Sequence, residues 1–189
     1  MLKIIAVRHG NAAPMVGGDD FGRPLSTKGI AQANARAASV ATLGRTRLVL
    51  ASPALRAIET AQAVFPGFNP VIVSELYLPI DPIDNQAGEE AFAKLGYATL
   101  RTYIAQDTGW LGRWGWNAVR GIRRELAKYV QPNLCDGTPF VGIVGHAVYS
   151  NMVGAMLYTE HAEKLFDIQL GEAEALVLRP DAELVHLAG

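Results

Sequence analysis

The stretch LKIIAVRHGN, residues 2–11, places a short apolar run directly before the polar sequence Arg8-His9-Gly10-Asn11. A continuous apolar run of this length that stops at a polar break predicts a buried β-strand over Leu2–Val7. In a sheet whose strands are buried on both faces, the residues just past the end of a strand are the ones exposed to a ligand. This stretch therefore predicts both an α/β fold and a first functional position.

Short apolar runs alternate with longer helical patterns along the rest of the chain. A helix is expected from the cap Ser26 or Thr27 to about Leu43, and a second one follows the N-cap and N1 pair Ser52-Pro53 as far as Val64. Further helical patterns cover about 88–106, 113–130, 149–157 and 162–166. Further strands are expected at 47–51, 70–74, 140–144, 173–178 and 183–187, the last two joined at the Pro180-Asp181 turn.

This alternation predicts an α/β three-layer sandwich with a mostly parallel central sheet. No repeat or linker interrupts the pattern, so residues 1–189 are expected to form a single domain, with a helical cap at about residues 84–130. The break between the two central helical patterns holds Trp110, Trp114 and Trp116 among glycines. These side chains are expected to serve core or cap packing, with a mobile lid as the alternative.

Charge and cysteine content exclude several classes of protein. Seventeen Lys and Arg against eighteen Asp and Glu give a net charge of −1, which argues against a nucleic-acid binder or a membrane-surface patch. Cys135 is the single cysteine, so no disulfide within the chain is possible. The apolar run before Arg8 is too short for a signal peptide, and a cytoplasmic location is expected. Twelve of the seventeen cationic residues are arginines.

Five chemically active side chains follow the ends of predicted strands. Arg8 and His9 follow the first, Arg56 lies one turn after the second, Glu75 follows the third and His146 follows the fourth. Arginine binds phosphate through its planar fork, and a neutral imidazole is a competent nucleophile toward phosphorus. Gathered at one sheet edge, these side chains predict a phosphoryl-transfer site.

The same segments resemble a known family. The sequences VRHG (7–10), SPALRA (52–57) with TA (60–61), SEL (74–76) and VGH (144–146) are similar, in order and spacing, to the signature segments of the histidine phosphatase superfamily, which includes phosphoglycerate mutases and acid phosphatases. Within it, the segment ending in PLSTKG (24–29) looks most like the small bacterial phosphohistidine phosphatases. The resemblance implies a phosphoglycerate mutase-like fold.

The resemblance also implies roles. His9 would be transiently phosphorylated, Arg8, Arg56 and His146 would complete the phosphate pocket, and Glu75 would hold the proton-donor position. Asn11, at a position where many relatives carry an acidic or polar residue, is a candidate substrate-binding residue. No metal and no organic cofactor would be needed.

Several alternatives remain open at this stage. Asp81 or Asp84 could replace Glu75 as the acid, and Arg56 could be a surface residue paired with Glu59. His161 and the remaining histidine, His186, are expected to be structural.

The sequence is compatible with more than one type of reaction. The function is expected to be a phosphatase, with a phosphoglycerate-type mutase or a phosphate-binding homologue as alternatives. The partner would be a phosphorylated small molecule or a phosphohistidine protein.

Overall fold

The computed structural model describes residues 3–129, 139–180 and 183–188, so Cys135 and Asp181 lie outside the described residues. The strands are β1 (Lys3–Arg8), β2 (Thr46–Ala51), β3 (Val71–Ile72), β4 (Phe140–Gly145), β5 (Ala175–Leu178) and β6 (Val185–Leu187). The helices are α1 (Thr27–Ala41), α2 (Leu55–Val64), α3 (Pro82–Leu95), α4 (Leu100–Ile104), α5 (Trp110–Tyr129), α6 (Ala147–Leu157) and α7 (Ala162–Asp167). Short 3-10 turns occupy Ser74–Leu76 and Thr159–His161.

The six strands form one mixed sheet in the order β3-β2-β4-β1-β5-β6. β1, β2, β3 and β4 run parallel, whereas β5 and β6 are antiparallel to their neighbours. β4 lies between β1 and β2, so the carboxyl ends of these three strands are adjacent. The sequence-based prediction of a largely parallel sheet within an α/β sandwich is confirmed.

Alternate residues of the central strands enter two separate cores. Ile4 and Ala6 of β1 belong to the core beneath α5 and α6, whereas Ile5 and Val7 belong to the core beneath α1 and α2. This alternation is the period of two that a β-strand imposes on its side chains. Both faces of the sheet are therefore covered, which explains why the strands read as continuous apolar runs.

Several helix boundaries differ from the sequence-based prediction, and the pattern over 88–106 forms two helices, α3 and α4. Helix α2 begins at Leu55 with Ala54 as its N-cap, not with the predicted Ser52 and Pro53. The hydroxyl of Ser52 lies 2.9 Å from Nε2 of His146 and only 3.4 Å from the backbone nitrogen of Ala54. The serine side chain is thus directed mainly to a histidine in the site.

The predicted glycine-rich break is shorter than expected: residues 105–109 separate α4 from α5, and Gly112 and Gly115 lie inside α5. Helix α5 runs unbroken through both glycines, and Trp110 and Trp114 are buried in its core-facing side. A Cβ at Gly115 would lie 2.5 Å from Sδ of Met156 on α6, so this glycine allows the two helices to approach closely. Gly115 thus serves packing between helices, whereas the sequence pattern had suggested a loop.

The described residues contain no helix with the length and apolar character needed to cross a membrane.

Candidate active site

Strand register brings the two site histidines together. Arg8 at the end of β1 is paired with Gly145 at the end of β4, so the next residue on each strand is a histidine. The backbone nitrogen of His9 donates to the carbonyl of Gly145 at 2.9 Å. The imidazole rings of His9 and His146 lie edge to face, with centroids 5.1 Å apart.

One ring nitrogen of His9 is unprotonated and acts as an acceptor. Its Nδ1 lies 2.8 Å from the carbonyl oxygen of Gly10, which can only accept, so Nδ1 carries the hydrogen. Its Nε2 is therefore unprotonated and accepts a hydrogen bond from Nε of Arg56 at 3.3 Å. Burial and the nearby positive charges of Arg56 and Arg8 lower the pKa of His9 to about 3, although the Gly10 contact opposes this shift. The imidazole is neutral at pH 7, as a nucleophile must be.

All three nitrogens of the Arg56 guanidinium group donate hydrogen bonds within the site. While Nε faces His9, Nη2 lies 2.9 Å from the carboxylate of Asp20 and Nη1 donates to the backbone carbonyl of the same residue. The hydroxyl of Tyr77 also donates to Asp20, at 3.0 Å. The alternative pairing with Glu59 does not form, because the Glu59 carboxylate accepts from the backbone nitrogen of Leu25.

The guanidinium group of Arg8 packs against the aromatic ring of Tyr97. Its guanidinium carbon is 4.5 Å from the centre of the Tyr97 ring, and its Nη1 donates to the carbonyl of Leu170 at 2.8 Å. Its Nε is buried without a hydrogen-bond partner among the described residues. A buried guanidinium N–H left unpaired is costly, and a phosphoryl oxygen is the kind of acceptor that would satisfy it.

His146 has a fixed partner of its own. Its Nε2 lies 2.9 Å from the hydroxyl of Ser52, which follows the end of β2. Burial, assisted by the neighbouring His9, Arg56 and Arg8, lowers the pKa of His146 well below its usual value. Both imidazoles are thus neutral, and two guanidinium groups lie near them, those of Arg8 and Arg56.

His9, Asp20, Arg56, Tyr77 and His146 line a cavity of about 500 Å³, whereas Arg8 and Ser52 do not line it. Helix α3, the turn after it, α4 and the start of α6 supply a further part of its lining, which we call the aromatic wall and define as Phe92, Tyr97, Tyr103, Val148 and Tyr149. Phe92 and Tyr97 contact each other edge to face, with ring centres 5.3 Å apart. The cavity therefore has a polar end, with the two histidines and Arg56, and an apolar end.

Asn11 lies in the cavity with its side chain already engaged. Its amide nitrogen donates to Glu172 at 2.7 Å, and its amide oxygen accepts from the hydroxyl of Ser26 at 2.6 Å. Lys28 also pairs with Glu172, at 3.3 Å. Burial raises the pKa of Glu172, but these polar contacts outweigh it and lower the pKa overall.

The structure does not bring Glu75 to this cavity. The Glu75 carboxylate pairs with Arg124 on α5 at 2.6 Å, and the hydrogen bond from Arg124 is the main reason that its pKa is lowered. The backbone explains the placement, because the predicted strand 70–74 is replaced by a two-residue strand and a 3-10 turn over Ser74–Leu76. Tyr77, two residues later, lines the cavity instead.

Asp81 and Asp84, the predicted substitutes, also lie elsewhere. Asp81 caps helix α3 by accepting from two backbone nitrogens, and Asp84 pairs with Arg113. Both line a separate surface depression.

The other two histidines have structural partners. Nε2 of His161 lies 3.2 Å from the carbonyl of Arg179, and Nε2 of His186 lies 2.8 Å from the Glu174 carboxylate. Among residues 3–129, 139–180 and 183–188, no group of three or more His, Cys, Asp or Glu side chains is placed to hold a metal ion.

Sequence reasoning missed Ser52, Asp20 and Tyr77 as site residues. Ser52 follows a predicted strand end in the same segment as Arg56, so the sequence could have indicated it as a site residue. Asp20 lies in a loop whose conformation no periodic pattern predicts. Tyr77 could not be distinguished from Glu75 without knowing that the strand before it is short.

The chain was compared with known proteins. Residues 4–76 match the model of the histidine phosphatase superfamily (branch 1). No curated protein matches the sequence.

Solved structures with a similar fold include three that span nearly the whole chain. A mutant phosphoserine phosphatase from Entamoeba histolytica, bound to phosphoserine, has a TM-score of 0.63 at 16% identity, covering 100% of this chain and 96% of the other. A mycobacterial glucosyl-3-phosphoglycerate phosphatase has a TM-score of 0.65 at 18% identity, covering 98% and 97%. The SixA protein of Agrobacterium tumefaciens, of the phosphohistidine phosphatase type, has a TM-score of 0.58 at 21% identity, covering 100% and 99%.

These structural likenesses concern the fold. The match over residues 4–76 includes His9 and Arg56, whereas His146 lies beyond it and is joined to them by the register of β1 and β4. The resemblance found from the sequence is thereby confirmed over residues 4–76, which match the histidine phosphatase superfamily model, and the whole chain has a phosphoglycerate mutase-like fold.

Proposed function

We propose that this protein is a phosphatase that works through a phosphohistidine on His9, without a metal or an organic cofactor. The observation that carries the proposal is the state of the His9 ring. Its Nδ1 is held by the Gly10 carbonyl, and its unprotonated Nε2 faces the Arg56 guanidinium. A nucleophile and an anion-binding group thus meet at one point, which is the arrangement that phosphoryl transfer requires.

The first step transfers the phosphoryl group to the enzyme. The Nε2 lone pair attacks phosphorus, the bond from phosphorus to the leaving group breaks, and the leaving group departs with the electron pair. Arg56, Arg8 and the neutral His146 surround the transferred group, and the arginines offset the charge on its oxygens. Helix α6 begins directly after His146, so its first backbone N–H groups add to the polar end of the cavity.

In the second step water hydrolyses the phosphohistidine. Water attacks phosphorus, the P–N bond breaks, and its electron pair returns to Nε2 of His9. Both protons of the water leave with the phosphate, which then equilibrates with the buffer. The enzyme returns to its starting state.

The carboxyl groups that line the cavity are ionised and so have no proton to donate to a leaving group. Substrates whose leaving group needs no proton are therefore favoured. Hydrogen bonds and the charges of Arg23 and Arg56 outweigh burial and lower the pKa of Asp20, and the pKa of Glu172 is lowered as well. Both carboxyls are therefore ionised at pH 7. The imidazole of a phosphoramidate leaves as a neutral molecule when its other ring nitrogen has already taken a proton from solvent, and a phenolate is far more stable than an alkoxide. We infer that phosphoramidates and aryl phosphates are hydrolysed in preference to alkyl phosphates.

The test is turnover of phenyl phosphate by the wild type, His9→Ala and His186→Ala. His186 is a histidine on β6, at the edge of the sheet, and serves as the matched control. We expect His9→Ala to lose activity by about 10³-fold or more, because loss of a nucleophile removes the covalent route. We expect His186→Ala to stay within twofold of the wild type. Wild-type activity in His9→Ala would refute the proposal.

The covalent intermediate can be sought directly. A rapid quench with labelled substrate should give one phosphate per chain, stable to alkali and labile to acid, as a phosphoramidate bond is. Chelators should leave the rate unchanged. Finding no label in the wild type while turnover continues would exclude the phosphohistidine route.

A mutase and a phosphate-binding homologue are separated by their products. A mutase would return the phosphoryl group to a phosphoglycerate, and a binding homologue would retain phosphate without turnover. Release of free phosphate from phenyl phosphate supports the phosphatase. A phosphorylated small molecule is the proposed partner, because the cavity of about 500 Å³ has the usual size of a small-molecule site.

A further inference from the structure

The aromatic wall of the cavity, which helix α3, the turn at residues 96–98, α4 and α6 supply, has no part in the proposed phosphatase chemistry. We propose that this wall is the subsite for the leaving group, and that it selects a flat, aromatic leaving group that carries no second acidic group. This inference rests on the proposed phosphatase function and names its substrate class.

The first argument is the shape and rigidity of the wall. The hydroxyl of Tyr103 donates to the carbonyl of Gly96 at 2.7 Å, and the amide of Gln169 donates to the carbonyl of Tyr97. These contacts fix the turn that carries Tyr97. Tyr149 is stacked on Trp114, with ring centres 4.2 Å apart. The aromatic surfaces are therefore held in place before a ligand arrives, which lowers the entropic cost of binding.

The second argument is solvent exposure. Phe92 is 49% exposed and Tyr97 is 56% exposed, although both border a cavity. Large apolar side chains left open to solvent in a concave site gain free energy when an apolar ligand covers them. Aromatic rings also gain from offset or edge-to-face contact with another ring.

The third argument is charge. Of the described residues that line the cavity, the cationic ones are Arg23 and Arg56. Arg23 is occupied by the Asp20 carboxylate at 2.8 Å and by the Ala13 carbonyl at 2.9 Å. The wall itself contributes no cation, and Glu89 on α3 lies beside it. A carboxylate or second phosphate on the leaving group would therefore be desolvated without a partner and repelled by Glu89.

Binding of the apolar part is measured with phosphonates, which cannot be hydrolysed and so avoid differences in leaving-group reactivity. We expect benzylphosphonate to inhibit with a constant about tenfold lower than methylphosphonate, as burial of part of a phenyl ring implies. Phe92→Ala should reduce this ratio to about threefold or less, because it removes one face of the wall. Trp116→Ala, which changes an exposed aromatic residue outside this cavity, should leave the ratio unchanged.

Charge selectivity is measured with a nearly isosteric pair, 4-carbamoylphenyl phosphate and 4-carboxyphenyl phosphate. We expect the wild type to prefer the carbamoyl compound in kcat/KM by about tenfold or more, since the carboxylate lacks a partner. Glu89→Lys should reduce or reverse this preference. Glu90→Lys is the matched control, because Glu90 is the next residue on α3, is also exposed and does not line the cavity.

The outcomes separate this inference from the function on which it rests. Turnover of phenyl phosphate by His9→Ala at the wild-type rate would overturn the phosphatase proposal, whereas calorimetry of the two phosphonates would still test the wall. Equal affinities for benzylphosphonate and methylphosphonate in an active enzyme would overturn the aromatic subsite alone. Equal effects of Glu89→Lys and Glu90→Lys would overturn the charge argument.

Discussion

The carboxylate of Asp20 lies 2.9 Å from Nη2 of Arg56, on the side of the guanidinium away from His9. Arg56 therefore shares its charge between an internal carboxylate and the place where a phosphoryl group would be held. The internal ion pair orients the guanidinium and at the same time competes with an anion for it.

Removing this competition should strengthen anion binding. In Asp20→Asn we expect the inhibition constant for inorganic phosphate to fall by about three- to tenfold, a range typical of an interaction with one partly exposed charge. Asp19→Asn makes the same change of charge one residue away, where the side chain accepts only from the backbone of Gly22, and should have little effect. An unchanged or raised constant in Asp20→Asn would show that Asp20 serves mainly to position Arg56.

The Ser52 hydroxyl should matter through His146. In Ser52→Ala we expect kcat to fall by about five- to tenfold with a smaller change in KM, because the His146 ring loses the hydrogen bond that orients it. Ser150→Ala is the control, since that hydroxyl donates to the backbone carbonyl of His146 and not to its ring. Equal losses in the two variants would indicate a general loss of packing.

Stability should depend on pH through the buried histidines. The pKa of His9 is lowered to about 3 in the folded chain, whereas an unfolded histidine has its ordinary pKa of 6.5. Between these values the unfolded state binds the proton and the folded state does not, so the free energy of unfolding decreases as pH falls below 6.5. One such histidine contributes a slope of up to about 1.4 kcal/mol per pH unit.

The measurement is urea unfolding between pH 6 and pH 5, above the range in which carboxylates titrate. His9→Asn should show a shallower slope than the wild type by up to the contribution of one histidine. Parallel slopes for the two proteins would contradict the lowered pKa of His9.

Glu75 should be dispensable for the chemistry. We expect Glu75→Gln to keep kcat within about twofold, because its carboxylate is paired with the half-exposed Arg124 and such a pair contributes about 1 kcal/mol or less to stability. Arg124→Gln should behave in the same way. A loss of activity confined to Glu75→Gln, and larger for alkyl than for aryl phosphates, would restore the proton-donor role.

Gly29 should be needed where helix α1 begins. A Cβ at this position would lie 2.0 Å from the backbone oxygen of Asn11, next to the His9 loop. We expect Gly29→Ala to destabilise the fold by about 1–3 kcal/mol and to lower activity, because backbone rather than a flexible side chain must shift. Gly112→Ala meets nothing within 4 Å inside α5 and should be neutral or stabilising, by up to about 1 kcal/mol. Thermal unfolding of the two variants separates the cases.

The polar end of the site was predictable because strand ends carry it. Buried parallel strands have a strong apolar signature, and their carboxyl ends must meet at one edge, so His9, Arg56 and His146 followed from pattern alone. The positions of the side chains after β3 could not be predicted in the same way. β3 has two residues, and a strand so short leaves the direction of Glu75 and Tyr77 undetermined.

The aromatic wall was not predictable from the sequence for a different reason. Phe92 and Tyr97 belong to a helix and a turn whose orientation depends on packing against α5 and α6, and no local pattern encodes it. The tryptophans illustrate the same limit. Their spacing among glycines suggested a loop, whereas burial of Trp110 and Trp114 against the sheet stabilises a continuous helix.

Three residues of the wall, Phe92, Tyr97 and Tyr103, belong to a different part of the chain from the histidines. His9 and His146 are fixed by the pairing of β1 with β4, whereas these three residues lie in the segment between β3 and β4, outside the sheet. Exchanging residues of that segment would change which molecules enter without shifting a single hydrogen bond between the central strands. The protein is consequently a suitable scaffold for transplanting a new specificity surface onto an unaltered reaction centre.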